Sequence, residues 1–239
     1  MKASKSHVNP GIMSSEHMDW STPTELFQQL GAVFHFDFDA AANSHNTKCE
    51  RFLSAKDDSL ERDEKGYATV WPLKITRKYD IPLSPDLLPK TAWLNSPYGL
   101  LVKPFMQMAY EQSVEYGLTV AVLCAHRTDA WFHKLVLNRA TYLLAFEKRI
   151  RFTRTGISTE KSSPAFPSAL AVFTPPNTEI PAIYTLHGKL GFVTDLRLQR
   201  RIAAEIKETQ YARHPNDRNS PEAISQRETD SGNTDREQA

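Results

Sequence analysis

The sequence predicts an α/β domain, a sheet with helices on both faces, and three stretches carry that prediction. Residues 118–124 form an unbroken run of apolar and β-branched side chains, the pattern of a strand buried on both faces. Residues 102–116 repeat apolar side chains at helical spacing (Val102, Phe105, Met106, Ala109, Tyr110) and stop at Gly117. Ahead of that helix, Thr91-Ala92-Trp93-Leu94 reads as a strand that ends abruptly in Asn95-Ser96-Pro97-Tyr98-Gly99, a rigid turn. In an open α/β sheet ligands bind just outside the strand ends, so residues 95–99 are the first place to look for chemistry.

The chain is 239 residues long, enough for one such domain with polar ends. Apolar residues make up 40% and charged residues 24%, as in a soluble globular protein. A net charge of +1 leaves no overall electrostatic footprint for nucleic acid, so any such contact must come from a local patch. Cys49 and Cys124 lie far apart and show no paired spacing, which argues against a disulfide framework and fits a reducing compartment. The first residues lack an apolar leader and no run reaches membrane-spanning length. A cytoplasmic monomer is expected.

Taken in order, residues 1–17 are polar and expected to be disordered. The domain is expected to span 18–207. Thr22 reads as an N-cap with Pro23 at the first helical position, and Leu26, Phe27 and Leu30 mark one apolar face. Capping explains all of these residues except Trp20. The same helix start, with its free N–H groups and the Thr22 hydroxyl, is also suited to holding a carboxylate. Residues 34–43 alternate aromatic and polar side chains as a strand, with Asp39 at its end and Ala40-Ala41-Ala42 opening a turn. No Gly-x-Gly accompanies it, which argues against a dinucleotide. Pro82, Pro85 and Pro89 make 74–90 an expected inserted surface loop.

Beyond Cys124, Arg127 stands at a strand end, well placed to meet a phosphate, while Thr128 or Asp129 reads as a helix cap. His126 and His133 lack a carboxylate or cysteine to complete a ligand set, so no metal is expected. Residues 142–146 and 149–152 read as strands. Lys148, Arg149, Arg151 and Arg154 form a basic cluster interleaved with aromatics, suited to a nucleic-acid backbone and equally to one solvated strand face. Residues 168–173 read as a last core strand, 196–206 as a helix, and 208–239 as a disordered tail.

The residue types at 95–99 suit one kind of ligand. An amino group on an aromatic ring is a weak nucleophile, because its lone pair is delocalised, and activating it requires acceptors for its N–H groups. Asn95 supplies a side-chain carbonyl and Ser96 a main-chain carbonyl that Pro97 helps to aim. Tyr98 offers a flat face for stacking, and Gly99 lets the backbone pass close by.

Asn95-Ser96-Pro97-Tyr98 resembles the Asp/Asn-Pro-Pro-Tyr/Phe signature of amino methyltransferases, with Ser96 in place of the first proline. Seven further blocks widen the likeness: Asp19-Trp20-x-Thr22-Pro23, Phe36-Asp37-Phe38-Asp39-Ala40-Ala41-Ala42, Asp58-Ser59-Leu60, Trp71, Ala125-x-Arg127-Thr128-Asp129-x-Trp131-Phe132, Arg149-Ile150-Arg151-Phe152 and Pro164-x-Phe166-Pro167-Ser168. In this order, over about residues 18 to 175, the blocks resemble the phage-type, Dam-like DNA N-6-adenine methyltransferase family.

The resemblance implies a class I S-adenosylmethionine-dependent methyltransferase fold with a Rossmann-like sheet, S-adenosylmethionine as methyl donor and double-stranded DNA as partner. It implies catalytic roles for Asn95, Ser96, Pro97 and Tyr98, and cofactor contacts from Trp20, Thr22, Pro23, Asp39, Ala40, Ala41, Asp58 and Asn95. Tyr98, Arg127, Arg149 and Arg151 are the expected DNA contacts. Two alternatives stay open on the sequence: another planar amino group as acceptor (an RNA base or a protein glutamine), or a DNA-binding module that keeps the fold without turnover.

Overall fold

The computed structural model describes residues 20–96, 99–154, 161, 162, 164 and 166–213. In chain order its regular elements are β1 (Trp20–Ser21), α1 (Thr24–Phe34), β2 (Phe38–Asp39), α2 (Trp71–Lys78), β3 (Thr91–Asn95), α3 (Val102–Tyr116), β4 (Thr119–Ala125), α4 (Ala130–Phe132), β5 (Tyr142–Phe146), β6 (Phe152–Arg154), β7 (Lys161–Ser162), β8 (Ser168–Phe173), β9 (Gly191–Asp195) and α5 (Leu196–Arg213). A π-helical turn follows α4, and short 3-10 turns occupy Ala55–Asp57 and Pro181–Leu186. The chain divides after Leu196, the first residue of α5, and the rest of α5 is the described part of the second unit.

The main sheet is mixed, in the order β2-β3-β4-β8-β5-β9. Strands β2, β3 and β4 are parallel, and β8 is antiparallel to both of its neighbours, β4 and β5. All seven residues of β4 are buried, as its unbroken apolar run requires. Side chains alternate between two cores. Ala92 and Leu94 of β3 with Val120, Val122 and Cys124 of β4 face α2, α3 and α4, while Trp93, Ala121 and Leu123 face α1. Helices therefore cover both faces, as expected.

A second sheet of three short strands, β1-β6-β7, pairs Trp20 with Arg154 and Ser21 with Thr153. Two-residue strands carry no readable alternation, and neither this sheet nor β9 is legible in the sequence.

The strands at 91–95, 142–146 and 168–173 and the helix 102–116 closed by Gly117 (φ 70°) form as expected. Elsewhere the boundaries move. Helix α1 runs to Phe34 because Leu30 and Phe34 bury against the sheet, and His35 ends it in the left-handed region. That reduces the expected strand at 34–43 to Phe38 and Asp39. Residues 74–78 are not loop but the second half of α2, where Trp71 and Ile75, four apart, bury one face. The proline-spotted stretch after it is irregular, as expected. Residues 149–151 precede β6 rather than forming a strand, and α5 continues through 208–213.

Candidate active site

Helix α1 lies antiparallel to β2 and β3. It starts beside the carboxyl end of β3, where β1 sits, and ends where the chain turns into β2. Its positive, N–H-rich end is therefore presented to the strand ends where a ligand site is expected. Trp93 belongs to the core under α1, and Asn95, two residues on in the same strand, points to the same side. Asp39 is the register partner of Trp93 and shares that side.

The Asn95 amide nitrogen donates to the main-chain carbonyl of Trp20 at 3.2 Å. Its Oδ1 is buried and has no hydrogen-bond partner among the described residues. Thr22 Oγ1 is in the same condition, in a residue only 1% exposed. The expected capping role of Thr22 does not appear: the N-cap of α1 is Pro23, whose carbonyl accepts from the Phe27 N–H at 3.0 Å, and no side chain caps the helix. Two buried oxygens without partners among the described residues thus lie on segments joined by the Asn95–Trp20 hydrogen bond.

Ser96 is buried, and both its N–H and its hydroxyl donate to the Leu123 carbonyl, at 3.4 and 3.2 Å. This extends the β3–β4 pairing one residue beyond Asn95 and fixes the start of the turn. Pro97 and Tyr98 lie outside the described residues. Gly99 has φ +103°, a conformation open to glycine and rarely to other residues.

At the neighbouring strand end the Asp39 carboxylate is almost fully buried. It accepts from the N–H groups of Ala41 and Lys48, each at 3.3 Å. Burial pushes its pKa up to about 7, with those N–H groups and the Lys48 ammonium opposing the rise. Burial also lowers the Lys48 ammonium. Ala40 ties this end to β3 through its N–H on the Trp93 carbonyl, and its own carbonyl accepts from the Ser59 hydroxyl. Asp58, next to Ser59, is exposed in a left-handed conformation, its carboxylate accepting from the Leu60 N–H. Lys48 carries no signal as a single residue, since a lone lysine in a loop fits any surface, and Ser59 enters only as part of the block Asp58-Ser59-Leu60.

The expected phosphate contact at Arg127 is largely committed elsewhere. Its guanidinium makes a two-pronged pair with Asp129, at 3.0 and 2.6 Å, and lies 4.0 Å over the Phe166 ring. Asp129 does stand at the N-cap of α4, but its carboxylate turns to Arg127 rather than to the helix. Arg149 is exposed and donates to the Pro164 carbonyl at 2.8 Å, and Arg151 is exposed. Both precede β6, which pairs with β1 and so lies on the Trp20 side of Asn95.

An open groove of about 540 Å³ lies between α1 and residues 48–51, lined by Phe27, His35, Phe36, Lys48 and Cys49 among others. It holds none of the expected site residues, although Lys48 borders it and meets Asp39. Among the described residues no group of three His, Cys, Asp or Glu could hold a metal ion, and no helix is long and apolar enough to cross a membrane.

Comparison with known proteins bears on this geometry. The family model described as DNA N-6-adenine-methyltransferase (Dam) matches residues 11–73, which include β1, Thr22, α1, Asp39 and Asp58. The DNA N-6-adenine-methyltransferase of Haemophilus phage HP1 is 26% identical over 159 residues, 65% of this chain and 78% of that protein. The DNA N-6-adenine-methyltransferase of Escherichia phage T1 is 32% identical over 124 residues, 51% of this chain and 42% of that protein. The chain is thus similar to phage DNA N-6-adenine-methyltransferases, with the family match lying in its first third.

Proposed function

We propose that the protein transfers a methyl group from S-adenosylmethionine to the N6 amino group of an adenine in DNA. The observation that carries this reading is the pair of buried oxygens, Asn95 Oδ1 and Thr22 Oγ1, that have no partner among the described residues, on the segments at the positive end of α1. The names of the phage relatives and the family match support it. A Rossmann-like, class I methyltransferase arrangement is the corresponding fold. The parallel run β2-β3-β4 and the helices on both faces support it.

The residues fit the cofactor. Thr22 and the first N–H groups of α1 suit its carboxylate, and the buried Asp39 carboxylate suits hydrogen-bond donors or positive charge, with Ala40, Ala41 and Asp58 alongside. S-adenosylmethionine, when bound, supplies an electrophilic methyl group on a cationic sulfur. The adenine must leave the duplex, because a stacked base cannot bring its amino nitrogen to the end of β3. Asn95 Oδ1 and the Ser96 carbonyl then accept from the two N–H groups, leaving the nitrogen lone pair directed away from them. Positioning does most of the catalytic work, and no strong base is required. Tyr98 is the stacking residue in this reading, and Arg149 and Arg151 lie along the DNA backbone.

The test is Asn95→Ala. Mapping N6-methyladenine at base resolution in the DNA of an expressing host should find modified sites with the wild-type chain and none with the variant, while calorimetry finds S-adenosylmethionine bound by both. Full methylation by the variant, or methyl transfer to RNA alone, would reject the reading.

A further inference from the structure

Leu100 is 94% exposed, on the turn between the Asn95 strand end and α3. A single exposed leucine means nothing by itself on a protein surface. Its mounting is what distinguishes this one. On one side the chain is held where Ser96 is tied to the Leu123 carbonyl; on the other Val102 and Phe105 are buried in the core. Gly99, at φ +103°, accepts from the Val102 N–H at 3.4 Å, so the turn that carries Leu100 is closed on itself. A large apolar side chain thus stands in solvent at the base of α3, five positions beyond the Asn95 oxygen that has no partner among the described residues.

We infer that Leu100 is the side chain that enters the DNA duplex beside the target adenine and fills the space the base leaves. This rests on the reading given under Proposed function. Extruding a base exposes the flat apolar faces of its neighbours, and an apolar wedge of leucine size covers them. The charge around the site favours DNA over an apolar protein or lipid partner. The exposed Arg149 and Arg151 precede β6, whose partner strand β1 carries the Trp20 carbonyl bonded to Asn95, which suits a polyanion running over this strand end.

The experiment compares wild type, Leu100→Ala and Val114→Ala, a control truncation of a side chain that is 44% exposed on α3. The substrate is a synthetic duplex bearing one adenine that the wild type methylates in host DNA, alongside the same duplex with an abasic site opposite that adenine. Leu100→Ala should lose about tenfold or more in methylation rate on the paired duplex and recover most of it on the abasic one, where extrusion is easier. It should also lose the fluorescence rise of 2-aminopurine at the target position, with S-adenosylmethionine affinity unchanged. An equal loss on both duplexes, no loss on either, or a change in self-association alone would overturn the inference. A wild type that binds S-adenosylmethionine but leaves no methylated adenine in host DNA would overturn the proposed function, and this inference with it.

Discussion

The side-chain amide of Asn95 donates to the main-chain carbonyl of Trp20, joining residues 75 positions apart. A main-chain carbonyl only accepts, so this contact requires the NH₂ end of the amide to face Trp20 and turns Oδ1 the other way. The pairing of β1 with β6 holds Trp20 in place, so the second sheet orients the acceptor at the end of the first. Asn95→Asp therefore separates two roles. An aspartate keeps an acceptor oxygen but sets a second one against the Trp20 carbonyl. Its methylation rate should fall between those of wild type and Asn95→Ala, and thermal unfolding should show a loss of about 1 kcal/mol.

Thr22→Val should have effects of opposite sign on stability and binding. The hydroxyl is buried with no partner among the described residues, so replacing it with a methyl group removes a desolvated polar atom. Stability should stay level or rise by about 1 kcal/mol in denaturant titration. If the hydroxyl serves the cofactor, calorimetry should show weaker S-adenosylmethionine binding by about tenfold. Unchanged affinity would remove Thr22 from the site.

Asp39 makes stability depend on pH. Its pKa is raised from 3.8 in the ordinary state to about 7 in the fold, so the folded chain holds the extra proton between those values. Stability is therefore greatest below the lower value, falls as pH rises through the window, and levels off above about 7. Urea titrations from pH 5 to 8 should show that decline in wild type and a flatter profile in Asp39→Asn, on the order of a few kcal/mol apart at the alkaline end. A cofactor that favours the carboxylate should release a proton on binding near pH 6, visible as a dependence of calorimetric heat on buffer.

Asp129 restrains Arg127. Both side chains are partly exposed, so solvent screens their ion pair and it adds little to stability. Asp129→Ala should leave unfolding nearly unchanged and release the guanidinium. DNA affinity should then increase and its salt dependence steepen by up to about one unit of log-log slope. Arg127→Ala should change neither affinity nor slope if the pair stays closed on DNA.

The elements legible in the sequence are those whose own side chains decide them. Strands β3, β4 and β8 and helix α3 bury continuous or periodic apolar residues, and they form where the pattern places them. Helix α2 was masked by its charges. Lys74 and Lys78 reach back to Asp57, Glu61 and the Phe52 carbonyl, so a basic stretch that reads as surface loop is anchored by partners 13 to 26 positions away. Asn95 and Asp39 were legible because strand ends are. The Trp20 contact was not, since nothing in either residue announces a partner so distant.

The Ser96 tether has a consequence for how such chains are recognised and how they change. A proline at this position would stiffen the turn through its ring but would have neither the N–H nor the hydroxyl that reaches Leu123. Ring and tether are alternative solutions to the same rigidity problem, and one residue cannot supply both. A search pattern that insists on two prolines passes over turns stiffened by the adjacent strand, and replacing this serine with proline exchanges one anchor for another.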